Sequence, residues 1–202
     1  MAFVATKHKI ILASTSKVRR KILQETAIDF EVIAPDYDEE EAKKTLKTKS
    51  IKETCLALSC GKALSLSKKF PDALIIGSDQ ICEFEKKAVS KSKDFSEAVS
   101  QLKAMQGKFH IQNNGVAVAL NGKIIFKNFT IVKMKMRKIS DAEILAYVET
   151  DQPWGCAGSY KYEALGKHLF EKVNGDYYAV LGMAIQPLIS FFYKKSFISI
   201  QV

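Results

Sequence analysis

The stretch that decides the fold runs from Gly115 to Met136 and reads GVAVALNGKIIFKNFTIVKMKM. Two strand-like runs with alternating character flank the pair Asn121-Gly122. An Asn-Gly pair is the preferred centre of the type I′ turn that joins two antiparallel strands. The pattern therefore predicts a long β-hairpin in this part of the chain.

Segments on both sides of the hairpin alternate between strand and helix patterns. Those typical of strands are 9–13, 30–34 and 74–84, and we predict short strands or buried segments at 168–173, 178–182 and 197–202. Those with helical spacing or a capping residue at their start are 17–26, 50–69, 94–107 and 140–149. Alternating strands and helices with an antiparallel insertion predict an α/β fold with a mixed sheet flanked by helices.

The composition is that of an ordinary globular protein. The chain has 202 residues, of which 47% are hydrophobic and 26% charged, enough for one large domain or two lobes around one cleft. No apolar run reaches 18 residues and no signal-peptide pattern opens the chain, so we expect a cytoplasmic protein that does not span a membrane. The four cysteines form no C-x-x-C pair, which favours reduced thiols over a metal site.

Basic side chains outnumber acidic ones, with 31 lysines and arginines against 22 aspartates and glutamates and a net charge of +9. Such a balance suits a polyanion or a phosphorylated small molecule. The lysines are spread, as in KKTLKTK (43–49) and KMKMRK (133–138), rather than gathered with interleaved aromatic residues. A lysine-rich solvated surface is therefore favoured over nucleic-acid binding.

The segment ASTSKVRR (13–20) is the first candidate for chemistry. It leads from a predicted strand through small hydroxyl residues into a helix, and the free N–H groups and positive dipole end of a helix start suit an anion. Ser14 can donate a further hydrogen bond, and Arg19 and Arg20 can grip phosphate oxygens. A serine cap followed by two solvated arginines explains the same pattern about as well.

Asp79 is the second candidate, because it interrupts the apolar strand LIIGSDQICEF (74–84). Gly77 would let backbone or a ligand approach the strand closely. Ligands of α/β sheets bind at the carboxyl ends of strands, where a carboxylate can hold a divalent metal or act as a general base. The alternative is a plain turn aspartate that ends a strand.

Three segments in this order resemble the Maf family of nucleoside triphosphate pyrophosphatases. They are LASTSKVRR (12–20), GSDQIC (77–82) and CAGSYKYEALG (156–166). The corresponding family patterns are Leu-Ala-Ser-x-Ser-Pro-Arg-Arg, Gly-(Ala/Ser)-Asp followed by Thr or Gln, and a late glycine-rich loop. The resemblance extends from about Lys9 to Leu188, and three motifs in order are far more specific than any one of them.

The resemblance implies a fold and an activity. The fold is a single Maf-like domain over residues 1–202, with an elongated mixed sheet, flanking helices and two lobes around a deep cleft, as in Maf and ITPase-like proteins. The activity is hydrolysis of the α–β phosphoanhydride of a nucleoside triphosphate, with Mg²⁺ or Mn²⁺, to a nucleoside monophosphate and pyrophosphate. Family members are often dimers, so a homodimer fits the resemblance.

The resemblance also implies roles for individual residues. Asp79 falls at the position of the catalytic proton acceptor and, with Glu39, would bind the divalent metal. Residues at positions where the family binds the substrate are Ser14, Arg19, Arg20, Lys62 and Lys91. Residues at positions that set base specificity are Val18, Gln80 and Glu163.

The base itself is indicated by Gln80 and by the loop that carries Glu163, which look like the branch that hydrolyses 7-methyl-GTP. A carboxylate can accept hydrogen bonds from the N1–H and 2-amino groups of guanine. Val18 departs from that branch, which commonly has a tryptophan that could stack on a cationic base. A dTTP/UTP pyrophosphatase, or one for another modified nucleotide, stays open as an alternative.

An alternative of another class is a basic nucleic-acid-binding protein without catalysis. Such a protein needs no carboxylate among its phosphate contacts, because a carboxylate repels the ligand unless a metal is bound. Asp79 and Glu39 therefore favour the enzyme.

Overall fold

The computed structural model describes residues 3–48 and 50–201, and the chain divides into two compact units. The first unit comprises Met1–Asp79, Asn114–Thr130 and Tyr177–Val202, and the second comprises Gln80–Asn113 and Ile131–Asp176. Two units agree with the two lobes expected from the sequence. The deep cleft and the single domain over 1–202 stay predictions.

Strands and helices alternate along much of the chain. The strands are β1 Val4–Thr6, β2 Ile10–Ala13, β3 Glu31–Ile33, β4 Leu74–Phe84, β5 Lys87–Val89, β6 Phe109–Leu120, β7 Lys123–Met136, β8 Phe170–Asn174 and β9 Ile198–Ile200. The helices are α1 Lys17–Gln24, α2 Glu39–Thr45, α3 Ile51–Ser67, α4 Phe95–Met105, α5 Asp141–Asp151, α6 Tyr177–Leu181 and α7 Ile185–Lys194, with a 3₁₀ helix at Leu165–Leu169.

In the first unit, β2 lies between β3 and β4 and runs parallel to both. Ala13, the last residue of β2, pairs with Gly77 in β4. Ser14 therefore leaves the sheet beside Ser78, at the carboxyl end of β2. This is the edge of an α/β sheet at which ligands bind.

The same part of the sheet is covered on both faces. Alternate residues of β2, β4 and β6 enter two apolar clusters, one shared with α1 and α7 and the other with Ala63 and Leu66 of α3. Strands buried on both faces are apolar throughout, as β2 and the first half of β4 are.

Helix α3 comes closest to the sheet at two glycines. A Cβ at Gly77 would lie 2.7 Å from the backbone nitrogen of Ala63, and a Cβ at Gly115 would lie 2.9 Å from the carbonyl oxygen of Cys55. The helix backbone therefore occupies the space in which side chains would stand, which confirms the close approach expected at Gly77. It also brings Lys62, the neighbour of Ala63, to the strand that carries Asp79.

In the second unit the strand pairs are antiparallel. β5 pairs with β4, and β8 pairs with β7 with an irregularity between Lys135 and Met136. Helices α4 and α5 pack against each other. Together with the parallel pairs of the first unit, these pairs make the fold the mixed α/β type that the sequence predicts.

The hairpin and the helix caps are confirmed. Asn121 and Gly122 have φ values of 47° and 71° between β6 and β7, as a type I′ turn requires. The side chains of Ser50, Asp94 and Ser140 each accept a hydrogen bond from the backbone three residues on, at the starts of α3, α4 and α5.

Three segments differ from the pattern read in the sequence. In 178–182, predicted as a short strand or a buried segment, Ala179 and Val180 are buried, but they lie in α6, Tyr177–Leu181, and not in a strand. A short apolar run does not distinguish a strand from a buried helix. In 168–173 the strand begins at Phe170, after the 3₁₀ helix. The acidic residues from Glu39 form an additional helix, capped by Asp38. The segment 197–202 contains β9, and its last residue, Val202, lies outside the described residues.

Across residues 3–48 and 50–201, no helix combines the length and the apolar character that crossing a bilayer requires.

Candidate functional site

The centre of the candidate site in the first unit is the ammonium group of Lys62, which binds two carboxylates. Its Nζ lies 2.6 Å from Asp79 Oδ1 and 2.6 Å from Glu39 Oε2. The side chains of Lys62 and Asp79 are 8% and 5% exposed, whereas that of Glu39 is 27% exposed. The structure thus brings three of the predicted site residues into one charged cluster, which reaches solvent at Glu39.

Backbone contacts hold Asp79 in place. The carbonyl oxygen of Asp79 accepts a hydrogen bond from Asn114 Nδ2 at 3.2 Å and one from Cys55 Sγ at 3.4 Å. Asn114 Oδ1 accepts a bond from the backbone N–H of Ala184 at 2.8 Å. The position of the catalytic candidate is therefore fixed by β6 and α3 as well as by its own strand.

Charges around Glu39 keep it ionised. Burial alone would raise the pKa of Glu39, but the ammonium groups of Lys62 and Lys43 lower it to about 2. Lys43 Nζ lies 2.8 Å from Glu39 Oε1. Conversely, burial and the charges of Asp79 and Glu39 raise the pKa of Tyr37, so its hydroxyl stays protonated near neutral pH.

The carboxylates of Asp79 and Glu39 fit a divalent cation. Both converge on one positive charge, the Lys62 ammonium, and carboxylate oxygens are the ligands that Mg²⁺ and Mn²⁺ prefer. Among the described residues, no group of three or more His, Cys, Asp and Glu side chains could hold a metal. A cation at this place would therefore take its other ligands from water and substrate phosphates, as Mg²⁺ commonly does.

The start of α1 lies at the same edge of the first unit's sheet. Ser16 caps the helix by accepting a bond from the backbone N–H of Arg19, and Ser14 Oγ accepts one from the N–H of Ser16 at 3.1 Å. Arg19 Nε donates to the carbonyl oxygen of Gly182 at 2.9 Å. Ser78 Oγ lies 2.9 Å from that same oxygen, so one carbonyl connects the α1 start with the strand of Asp79.

Arg20 and Val18 have different surroundings from Arg19. Arg20 is exposed and lines a surface groove with residues 24 and 27–30 and Val32. Val18 packs partly buried against the apolar cluster of α1 and α7. Their predicted roles in substrate binding and base specificity stay predictions.

The remaining predicted residues, Gln80, Lys91 and Glu163, belong to the second unit. Lys91 forms an isolated antiparallel bridge with Ala157 and is exposed, as Glu163 is. Burial raises the pKa of Cys156, the charge of Glu163 raises it further, and that of Lys91 lowers it. Lys91 and Glu163 thus share the surroundings of Cys156.

Sequence reasoning missed several residues that build the site. The polar pair Asn113-Asn114 inside a buried strand was an available signal, since buried amides need partners. Tyr37 and Gly182 gave no such signal, because their contacts join segments far apart in the chain.

A model of the Maf-like protein family matches residues 9–195. A relative from Bradyrhizobium diazoefficiens, named a nucleoside triphosphate pyrophosphatase, is 34% identical over 96% of this chain and 97% of its own. Another, from Bartonella henselae and named a 7-methyl-GTP pyrophosphatase, is 38% identical over 89% of this chain and 92% of its own.

Among solved structures, a HAM1 protein from Coxiella burnetii is similar over 65% of this chain and 74% of its own. The TM-score is 0.43 at 14% identity, a similarity too slight to bear on function.

Proposed function

The chain belongs to the Maf-like family, as its motifs predicted, and on that premise we propose that it is a nucleoside triphosphate pyrophosphatase whose substrate is 7-methyl-GTP. The names of its relatives support the class of reaction, and the name of the Bartonella henselae relative supports the base. The observation that carries the proposal is that the carboxylates of Asp79 and Glu39 both contact the Lys62 ammonium group, at the sheet edge where α1 begins.

The triphosphate would bind at the start of α1. The free N–H groups and positive dipole end of this helix attract phosphate oxygens, and Ser14 and Arg19 can donate hydrogen bonds to them. Arg19 is already oriented by its bond to Gly182. Arg20 and Lys91 are assigned to phosphate binding by the family resemblance alone.

Asp79 and Glu39 would hold a divalent cation. When bound, Mg²⁺ or Mn²⁺ supplies positive charge to the phosphates and lowers the pKa of a bound water. Lys62 would continue to neutralise the two carboxylates and keep them close together.

Hydrolysis needs a group that takes a proton from the attacking water. Among the described residues the bonds to the Asp79 side chain engage Oδ1, which leaves Oδ2 to accept that proton. The water oxygen forms a bond to phosphorus, the α–β bridging P–O bond breaks, and the products are 7-methyl-GMP and pyrophosphate. A nearly buried base of this kind contributes about 10²–10⁴-fold to the rate.

Glu163 and Gln80 would read the base. A guanine edge presents two donors, N1–H and the 2-amino group, and both suit the carboxylate of Glu163. Gln80 can donate and accept, and so it suits a mixed edge.

The test is pyrophosphate release from the eight common nucleoside triphosphates, 7-methyl-GTP and 5-methyl-UTP, with Mg²⁺ or Mn²⁺. We expect turnover of 7-methyl-GTP, reduced by about 10²–10⁴-fold in Asp79→Asn and unchanged in Asp72→Asn, a control on an exposed aspartate. Turnover of pyrimidine nucleotides alone would reject the base assignment. No turnover, together with salt-dependent DNA binding, would instead support the nucleic-acid-binding alternative.

The role of Glu163 has its own test. Glu163→Gln replaces an acceptor pair with one acceptor and one donor, and the ratio of kcat/KM for 7-methyl-GTP to that for UTP should fall about 10–100-fold. Glu149→Gln, on exposed α5, is the control. An unchanged ratio in Glu163→Gln would remove this residue from base recognition. The cytoplasmic location and the homodimer expected from the sequence stay predictions.

A further inference from the structure

Gly61 occupies an unexpected position inside α3. The interior of a helix is an unfavourable place for glycine relative to alanine, and no positive φ requires glycine at this position. A Cβ at Gly61 would lie 2.6 Å from Tyr37 Oη and closer still to two carbons of the ring. The ring of Tyr37 therefore fills the space that any side chain at position 61 would occupy.

We propose that Tyr37 and Gly61 form a fitted pair that positions Glu39 beside Lys62 and Asp79. Tyr37 precedes Glu39 by two residues, and Gly61 directly precedes Lys62. The place where the ring rests on α3 thus determines where the Glu39 carboxylate meets the Lys62 ammonium group. This inference rests on the proposed function, in which Glu39 helps to bind the divalent cation.

Three contacts attach the segment of Tyr37 to α3 and to Lys69, which follows the C-cap residue Lys68. Asp36 pairs with Lys69 at 2.8 Å, Tyr37 rests on Gly61, and Glu39 pairs with Lys62 at 2.6 Å. The first of these is an exposed ion pair, which holds geometry only weakly. The half-buried ring of Tyr37 is the packed contact that precedes Glu39, and so it can fix the position of the segment.

The proposed role depends on the shape of the ring and not on its hydroxyl group. Tyr37→Phe keeps the ring and should therefore keep the activity. Tyr37→Val removes the ring, and Gly61→Ala pushes it away from the helix. Both changes should let Glu39 move from Lys62, and small displacements of catalytic groups lower the rate strongly.

A double-mutant cycle of Gly61→Ala and Tyr37→Val tests the pair. We expect each single variant to lower kcat about 10-fold or more, with a smaller effect on KM for the nucleotide. The double variant should lose no more than Tyr37→Val alone, because valine leaves room for the new methyl group. Tyr193→Val, which removes an exposed tyrosine on α7, should keep the wild-type kcat. Losses that simply multiply in the double variant, or a wild-type kcat in Gly61→Ala, would overturn the proposal.

Two further readouts separate this inference from the proposed function. Mn²⁺ binding measured without nucleotide should weaken in both single variants, whether or not the wild type hydrolyses 7-methyl-GTP. In the double variant it should weaken no further than in Tyr37→Val. The same cycle in thermal unfolding requires neither metal nor substrate. Coupling in unfolding without coupling in Mn²⁺ binding or kcat would mean that the pair only packs, which would reject its role in positioning Glu39. Absence of coupling in unfolding would reject the fitted pair itself.

Discussion

Each of the two units buries a polar cluster, and the two clusters differ in charge. In the first unit Lys62 binds Asp79 and Glu39. In the second, the hydroxyl group of Tyr160 lies 2.9 Å from His110 Nε2 and accepts a hydrogen bond from Gln112 Nε2. One cluster consists of charges, and the other consists of groups that are neutral near pH 7.

The two clusters also differ in how well their atoms are satisfied. Lys62 has a carboxylate on two sides, whereas His110 Nδ1 and Gln112 Oε1 are buried without a hydrogen-bond partner among the described residues. Burial lowers the pKa of His110 to about 4, so its ring is uncharged at neutral pH. Charges in a protein interior require such compensation. The neutral cluster packs against the ring of Phe170 and has no comparable requirement.

The largest expected effect comes from breaking the charged cluster with Lys62→Met. Asp79 would lose the ammonium group beside its Oδ1, and Glu39 would keep only that of Lys43. Removing one partner of a buried ion pair destabilises a protein by about 3–5 kcal/mol. We expect a loss near the lower end of that range, because Glu39 is partly exposed. Denaturant unfolding at pH 7 measures it, and pyrophosphate release should fall in parallel.

The matched control for Lys62→Met is Lys69→Met, which breaks the exposed pair with Asp36. An exposed ion pair contributes about 0–1 kcal/mol, so this variant should unfold almost like the wild type. Equal losses in the two variants would show that burial does not distinguish the two lysines.

The neutral cluster should respond to acid through His110. Its pKa is about 4 in the folded protein and 6.5 in the unfolded chain, so the unfolded state binds more protons between these values. The free energy of unfolding should therefore fall by about 3 kcal/mol as the pH drops from 6.5 to 4. His110→Gln should remove this fall, and unfolding measured across the range tests it.

His168→Gln changes an exposed histidine of the same unit and should keep the wild-type pH dependence. If the free energy of unfolding falls in acid in both His110→Gln and His168→Gln as it does in the wild type, a group other than His110 causes the fall.

Gly77→Ala tests how the charged cluster is assembled. A methyl group on β4 would press against the backbone of Ala63 and Ser59 in α3, and overpacking of this kind destabilises by about 1–3 kcal/mol. Because Lys62 is carried by the displaced helix, activity should fall as well. The acid response of His110, a residue of the second unit, should persist in this variant. Its loss would show that the change at Gly77 also alters the surroundings of His110.

The sequence and the structure agree where the chemistry is local. The carboxylate that interrupts an apolar run made Asp79 a candidate, and the structure places it beside Lys62. Gly77 in the same strand predicted the close approach that α3 makes. The family resemblance assigned Glu39 and Lys62 to the site, but their pairing with each other depends on helix packing. Tyr37 and Gly61 were missed because 24 positions of sequence separate them, and His110 was missed because only tertiary packing buries it.

Glu39→Gln should have the smallest effect on stability. The pH range in which it acts distinguishes the charged cluster from the neutral one. The pKa of Glu39 is about 2 in the folded protein and 4.5 ordinarily, so its stabilisation is complete above pH 4.5 and is lost as the pH falls towards 2. Solvent reaches this side chain, so we expect about 1–2 kcal/mol. The stability difference between wild type and variant should shrink below pH 4.5, and Glu40→Gln, an exposed neighbour on α2, should show no such change.

Between pH 6.5 and 4.5 the acid response should come from His110 and not from Glu39. A variant of Glu39 that altered the response in that upper range would show that the charged and neutral clusters titrate together.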